Sequence, residues 1–174
     1  MEAPTMKATN FEQVLSVLHR GQVDVVLIDG LAANAHGSAR VTYNIDFVYG
    51  RSRGNLERLV AALAPYQPYL RGAPPGLPFQ WRVETLQHGL NFTLDTTLGP
   101  VDLLGEALGG GKYEDLITSA VVMRMFDFDI RCAALDALIH MKTAAGRPKD
   151  FEALAELHAL RLDRQRPLDG PETL

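Results

Sequence analysis

The segment Val41-Thr42-Tyr43-Asn44-Ile45-Asp46-Phe47-Val48-Tyr49 constrains this chain more than any other stretch. Successive side chains of a strand point to opposite faces. Ile45, Phe47 and Tyr49 therefore share one face, and Asn44, Asp46 and Val48 share the other. The first face is large and apolar and needs a core against it. The second carries a carboxylate in the middle of an otherwise core-like strand, where desolvation without a partner is costly. The chain must therefore build a sheet that is packed on one side and, at Asp46, polar on the other.

The remaining pattern supplies the rest of such a sheet and its helices. Asn10 with Gln13 reads as a helix cap, followed by Phe11, Val14, Leu15 and Leu18 on one face and a stop at Gly21. Val23 to Ile28 is a short β-branched run, the pattern of a strand buried on both faces, and Leu31 to His36 a short helix. Asn55 to Leu63 is helical, and Pro65 to Pro78 is a long Pro/Gly loop. Phe79 to Thr85, Leu90 to Thr96 and Pro100 to Leu104 read as strands, the last two joined by a hairpin turn at Thr96-Thr97-Leu98-Gly99. After the glycine-rich stretch Gly105 to Gly111 come a short helix near Tyr113 to Thr118 and strands at Val121 to Met125 and Phe128 to Arg131. Helices over Ala133 to Ala145 and Lys149 to Leu162 follow. This order predicts an α/β (α+β) domain with a mixed central sheet flanked by helices and a helical C-terminal part.

A length of 174 residues suits one domain. Its core is expected over about 10–131, its last helices over 133–162 and a frayed tail over 163–174. The formal charge of −4 is spread along the chain, so no basic face is available for duplex DNA, whereas a mononucleotide needs only one or two cations. The single cysteine, Cys132, excludes an internal disulfide and sits among apolar neighbours as a buried thiol. No secretory signal and no membrane-spanning run is visible, so a cytoplasmic location is expected.

Asn44 and Asp46 lie about 7 Å apart on one strand face. Asp102, within the two-periodic Val101-Asp102-Leu103-Leu104, comes within about 5 Å of either if its strand pairs with theirs. Three such oxygen-bearing groups form a site for Mg2+ or Mn2+ of the hard-oxygen type that bridges phosphates; the alternative is an edge-strand acid beside a solvated one. Upstream, the strand ending at Ile28 runs into Asp29-Gly30 and a helix, where a glycine either lets a phosphate approach the backbone or simply makes a tight turn.

Ile28-Asp29-Gly30-Leu31-Ala32-Ala33-Asn34-Ala35-His36-Gly37, with Arg40, Thr42 and Asn44-Ile45-Asp46, resembles the opening of the minimal nucleotidyltransferases of prokaryotes, a group that includes nucleotidyltransferase-type toxins and antitoxins. The family pattern is an apolar residue, Gly, then Gly or Ser, with Asp-apolar-Asp further on and a third carboxylate from a later strand. The likeness continues through Leu90 to Thr96, Val101 to Gly105, Tyr113 to Leu116 and Lys142 to Asp150, and spans Phe11 to Leu162.

The resemblance implies the nucleotidyltransferase fold, a nucleoside triphosphate as substrate with Mg2+ or Mn2+, and transfer of a nucleoside monophosphate to a hydroxyl of a protein, RNA or small molecule. It places Asn44, Asp46 and Asp102 at the metal, Asp46 and Asp102 in catalysis, and Gly30, Arg40 and Lys142 at the nucleotide. Asp95 and Lys149 are the second choices for the third carboxylate and the phosphate-facing lysine. Arg40 otherwise pairs with a surface acid, Lys142 otherwise stabilises its helix end, and His36 is a packing residue. Two positions depart from the pattern. Asp29 stands where the family has its first glycine, and Asn44 where the first metal aspartate belongs. Both reduce the attraction for Mg·NTP. A degenerate module that binds nucleotide or a partner protein, as one half of a toxin–antitoxin pair, is the alternative.

Overall fold

The computed structural model describes residues 8–167. The chain begins with α1 (Phe11–Arg20), whose Asn10 cap accepts a hydrogen bond from the Gln13 N–H at 3.1 Å and whose buried stripe is Val14, Leu15, Val17 and Leu18. β1 (Val25–Ile28) leads directly into α2 (Asp29–Ala35), and β2 (Ile45–Tyr49) is buried along its whole length. α3 (Arg53–Leu63) starts at Ser52, whose hydroxyl caps the Asn55 N–H. β3 (Tyr69–Leu70), α4 (Val83–His88), β4 (Asn91–Thr96) and β5 (Gly99–Leu104) follow. A small ribbon of β6 (Glu106–Ala107) and β7 (Gly111–Lys112) precedes α5 (Tyr113–Ile117). The hairpin of β8 (Val121–Met125) and β9 (Phe128–Cys132) comes next, then α6 (Leu135–Ala145) and α7 (Phe151–Gln165).

The main sheet is mixed and has the order β3-β4-β5-β2-β1-β9-β8. β1 and β2 run antiparallel with Ile28 opposite Asp46, while β2 and β5 run parallel with Asp46 opposite Asp102. Ile45, Phe47 and Tyr49 are fully buried, as their shared strand face requires. The core is continuous from α1 through the central strands to Leu157 of α7.

Three sequence expectations are corrected. Phe79 to Thr85 is not a strand: Phe79 to Arg82 joins no ladder, and Val83–His88 is helical. Phe79, Trp81 and Val83 do alternate with polar residues and are half-buried, but the Trp81 indole N–H donates to the Val60 carbonyl of α3 and no strand lies alongside. Residues 41–44 also stay outside the sheet. Pairing with β1 ends at Ile28–Asp46, because the chain turns into α2 there, and Val41 and Tyr43 are left exposed. Finally, α7 continues to Gln165, so the first part of the expected tail is helical; residues 168–174 lie outside the described part.

Candidate functional site

The parallel register of β2 and β5 sets Asp46 and Asp102 directly across from each other on one sheet face. Asn44, the residue before β2, adds a third polar group. Its amide Nδ2 donates to both Asp46 oxygens at 3.2 and 3.1 Å and to Asp102 Oδ2 at 3.0 Å. The three residues proposed from spacing therefore meet. Among the described residues no group of three or more His, Cys, Asp or Glu side chains is placed to hold a metal ion; the trio is two carboxylates and an amide. Its donor chemistry still suits a hard cation, because turning the Asn44 amide over would present a third oxygen beside two carboxylates.

Asp46 is only 7% exposed. Burial, then the charges of Asp29 and Asp102 and a hydrogen bond shared with Asp102, push its pKa up to about 8, against a smaller opposing pull from Arg71. A carboxyl so poorly solvated and so close to other acids does not ionise readily without a cation.

Asn44 and Asp46 form part of the wall of a cavity of about 300 Å3. Its other sides come from Asp29, Gly30 and Ala33 of α2, from Ser38 and Arg40 to Thr42, and from α6 and α7. Lys142 reaches into it from α6 and pairs with Asp29 at 2.9 Å and with Asp150 at 3.3 Å. Burial alone would lower the Lys142 pKa, but hydrogen bonds and charge from these two carboxylates raise it. Asp150 is buried and also holds Arg147, at 2.6 Å. Asp29 thus places its carboxylate against the very lysine assigned to phosphate. Its backbone has φ +59°, a left-handed conformation that glycine adopts without strain. Gly30 has a packing reason to be glycine, since a Cβ there would lie 2.7 Å from Thr42 Oγ1.

The other expected residues take varied places. Arg40 lines the cavity and pairs with the exposed Glu152 at 3.5 Å, so the surface-acid alternative describes its present partner. Lys149 also lines the cavity. Asp95 faces Pro100 across the β4–β5 hairpin and stands apart from the trio. His36 is buried, with Nε2–H donating to the Ala133 carbonyl at 2.8 Å, and Cys132 is buried with its thiol pushed up to about 12 by desolvation.

Sequence reasoning missed Arg71. It follows the two-residue strand β3 inside what reads as a Pro/Gly loop, and its guanidinium reaches Asp102 Oδ1 at 2.6 Å. Nothing local marks it, because its partner is assigned by strand order and not by spacing.

No protein-family model and no curated protein matches the chain. Among solved structures, the lincosamide antibiotic adenylyltransferase LnuA, bound to lincomycin, is similar at a TM-score of 0.58 and 14% identity, covering 88% of this chain and 99% of LnuA. The solution structure of the antibiotic-resistance factor ANT(2'')-Ia is similar at a TM-score of 0.49 and 17% identity, covering 89% of each chain. The mixed sheet with its flanking helices, together with the likeness to LnuA over nearly the whole chain, gives this protein the nucleotidyltransferase fold.

Proposed function

We propose that this chain is a divalent-cation-dependent nucleotidyltransferase of the cytoplasm, moving a nucleoside monophosphate from a triphosphate to a hydroxyl acceptor. The observation that carries the reading is the meeting of Asn44, Asp46 and Asp102 beside a cavity that also holds Lys142. Asn44, Asp46 and Asp102 would hold Mg2+ or Mn2+, which when bound would neutralise phosphate charge and stabilise the charge that develops during transfer. Lys142 and Arg40 would face the phosphates, with Gly30 in the cavity wall beside them. The acceptor oxygen forms a bond to the α-phosphorus, the bond from that phosphorus to the bridging oxygen breaks, and pyrophosphate leaves with that oxygen. Asp102 takes the acceptor's proton. Positioning and charge neutralisation do the rest.

Calorimetric titration with each Mg·NTP, followed by a search for labelled nucleotide on co-purified protein or RNA, tests this. Micromolar binding of at least one nucleotide is expected, and Asp46→Ala and Asp102→Ala should each abolish transfer with the melting temperature within a few degrees. Transfer that survives in both variants refutes the reading.

The second reading, a degenerate module that binds a partner protein as half of a toxin–antitoxin pair, is supported by the Asp29–Lys142 contact. There the chain supplies its own carboxylate to the phosphate-facing lysine. The same titration separates the two, since a module of this kind gives no heat with any Mg·NTP.

A further inference from the structure

Both carboxylate oxygens of Asp102 are engaged by side chains. Oδ2 accepts from Asn44 and Oδ1 accepts from Arg71 Nη2 at 2.6 Å. Arg71 is anchored well beyond that one contact. Its backbone N–H donates to the Thr93 carbonyl at 2.9 Å, which continues the pairing of β3 with β4. Its side chain then crosses β4, with Nη2 donating to the Leu94 carbonyl at 2.8 Å and Nε to Asp95 Oδ1 at 3.2 Å. A planar guanidinium fixed on β4 and reaching β5 cannot rotate without losing several hydrogen bonds at once. Asp102, half enclosed and held at Oδ1, therefore keeps Oδ2 turned toward Asn44 and Asp46.

We propose that Arg71 is the positioning residue of the acidic site: it fixes the plane of the Asp102 carboxylate so that Oδ2 is presented to Asn44 and Asp46, and Asp95 holds Arg71 in place to do so. This rests on the reading of Asn44, Asp46 and Asp102 as a divalent-cation site. Orientation and charge act in opposite directions here. As a cation beside Asp102, Arg71 lowers the pull of the site on a metal, so charge alone predicts that its removal tightens binding. As an orienting partner of a ligand, it predicts the reverse, because outer hydrogen bonds to metal ligands typically carry on the order of 10–100-fold in affinity.

Calorimetric titration of the full chain with Mn2+ decides the sign. Arg71→Ala is expected to weaken Mn2+ binding by about tenfold. Arg71→Lys, which keeps the charge and loses the fork, should weaken it too. Asp95→Asn, at an exposed position that touches Arg71 but not the trio, should give a smaller loss in the same direction, and it carries the test if Arg71→Ala fails to fold. Unchanged or tighter binding in the Arg71 variants, or full recovery with lysine, overturns the role of Arg71 and leaves the cation site standing. Absence of Mn2+ binding by the native protein removes the cation site and the role of Arg71 together.

Discussion

Asp46 is strongly shifted by burial and neighbouring acids, and the effect has a sign that can be measured. Burial and the neighbouring acids push its carboxyl up to about 8 in the folded protein, from 3.8 for the free side chain. The folded state therefore holds a proton that the unfolded state releases over that interval. Stability contributed by this proton is full below about pH 4 and is lost as pH rises through about 8. Asp46→Asn keeps the shape and removes the titration. The variant should exceed the native protein in stability at pH 8 by at least about 1 kcal/mol, with the difference fading toward pH 4. Thermal melts at both pH values read this directly, and millimolar Mg2+ at pH 8 should raise the native melting temperature without moving that of the variant. An equal difference at pH 4 and pH 8 would show that Asp46 is an ordinary carboxylate. At this scale the sequence was informative for a simple reason. Asp46 is set by strand period with Asn44 just before its strand, and Asp102 is set by the same period in its own strand. Arg71 and the Asp29–Lys142 contact were hidden, because each joins groups whose proximity depends on how distant elements pair.

Asn55 shows how an element boundary fixes that pairing. It lies in the first turn of α3, fully buried, and binds three backbone groups. Its Nδ2 donates to the Gly50 carbonyl at 2.7 Å and to the Asp24 carbonyl at 3.0 Å, and its Oδ1 accepts from the Asp24 N–H at 2.7 Å. Asp24 precedes β1 and Gly50 follows β2, so one side chain clamps the end of the ladder whose other end is Ile28–Asp46. Water can reach the groups of exposed Asp24, but the buried Gly50 carbonyl would be orphaned. Asn55→Ala should therefore cost about 2 kcal/mol in urea unfolding, and a cost below about 0.5 kcal/mol would mean that the clamp is redundant. Most helices and the β4–β5 hairpin were legible from caps, periods and turn residues. The error at Phe79 to Thr85 has a clear cause: an alternating apolar stretch packs on a neighbouring helix as well as on a neighbouring strand, and only the partner distinguishes them. The ribbon of β6 and β7 within the glycine-rich stretch was likewise too short to show a period.

Across the whole molecule, the C-terminal helices are fastened to the sheet through α2 and the segment after it. His36 binds the Ala133 carbonyl, Ser38 donates to Glu156, Arg164 donates to the His36 carbonyl at 3.1 Å, and Lys142 meets Asp29. Two of these contacts, Ser38–Glu156 and Lys142–Asp29, border the cavity, so its shape depends on how α6 and α7 dock. Strand order and docking were the parts of the fold that pattern could not reach, since neither is encoded in the period of any single element. Asp150 is the centre of this arrangement. Burial would raise its pKa, yet hydrogen bonds and charge from Arg147 and Lys142 lower it, so its stabilising contribution is present above the ordinary carboxylate range and is lost as pH falls through that range. Asp150→Ala leaves Lys142 with Asp29 alone and Arg147 without its acceptor. With Lys142 still paired to Asp29 and Arg147 half in water, the loss of these charged hydrogen bonds should cost on the order of 1–2 kcal/mol at pH 7. Because the freed cations also border the cavity, Mg·ATP affinity should change with stability, and the double change separates this residue from Asn55, whose loss should lower stability while leaving the affinity of the folded fraction intact. Urea melts and calorimetry on the two variants make the comparison, and equal affinity in both would mean that Asp150 serves the docking of α6 and α7 without shaping the cavity.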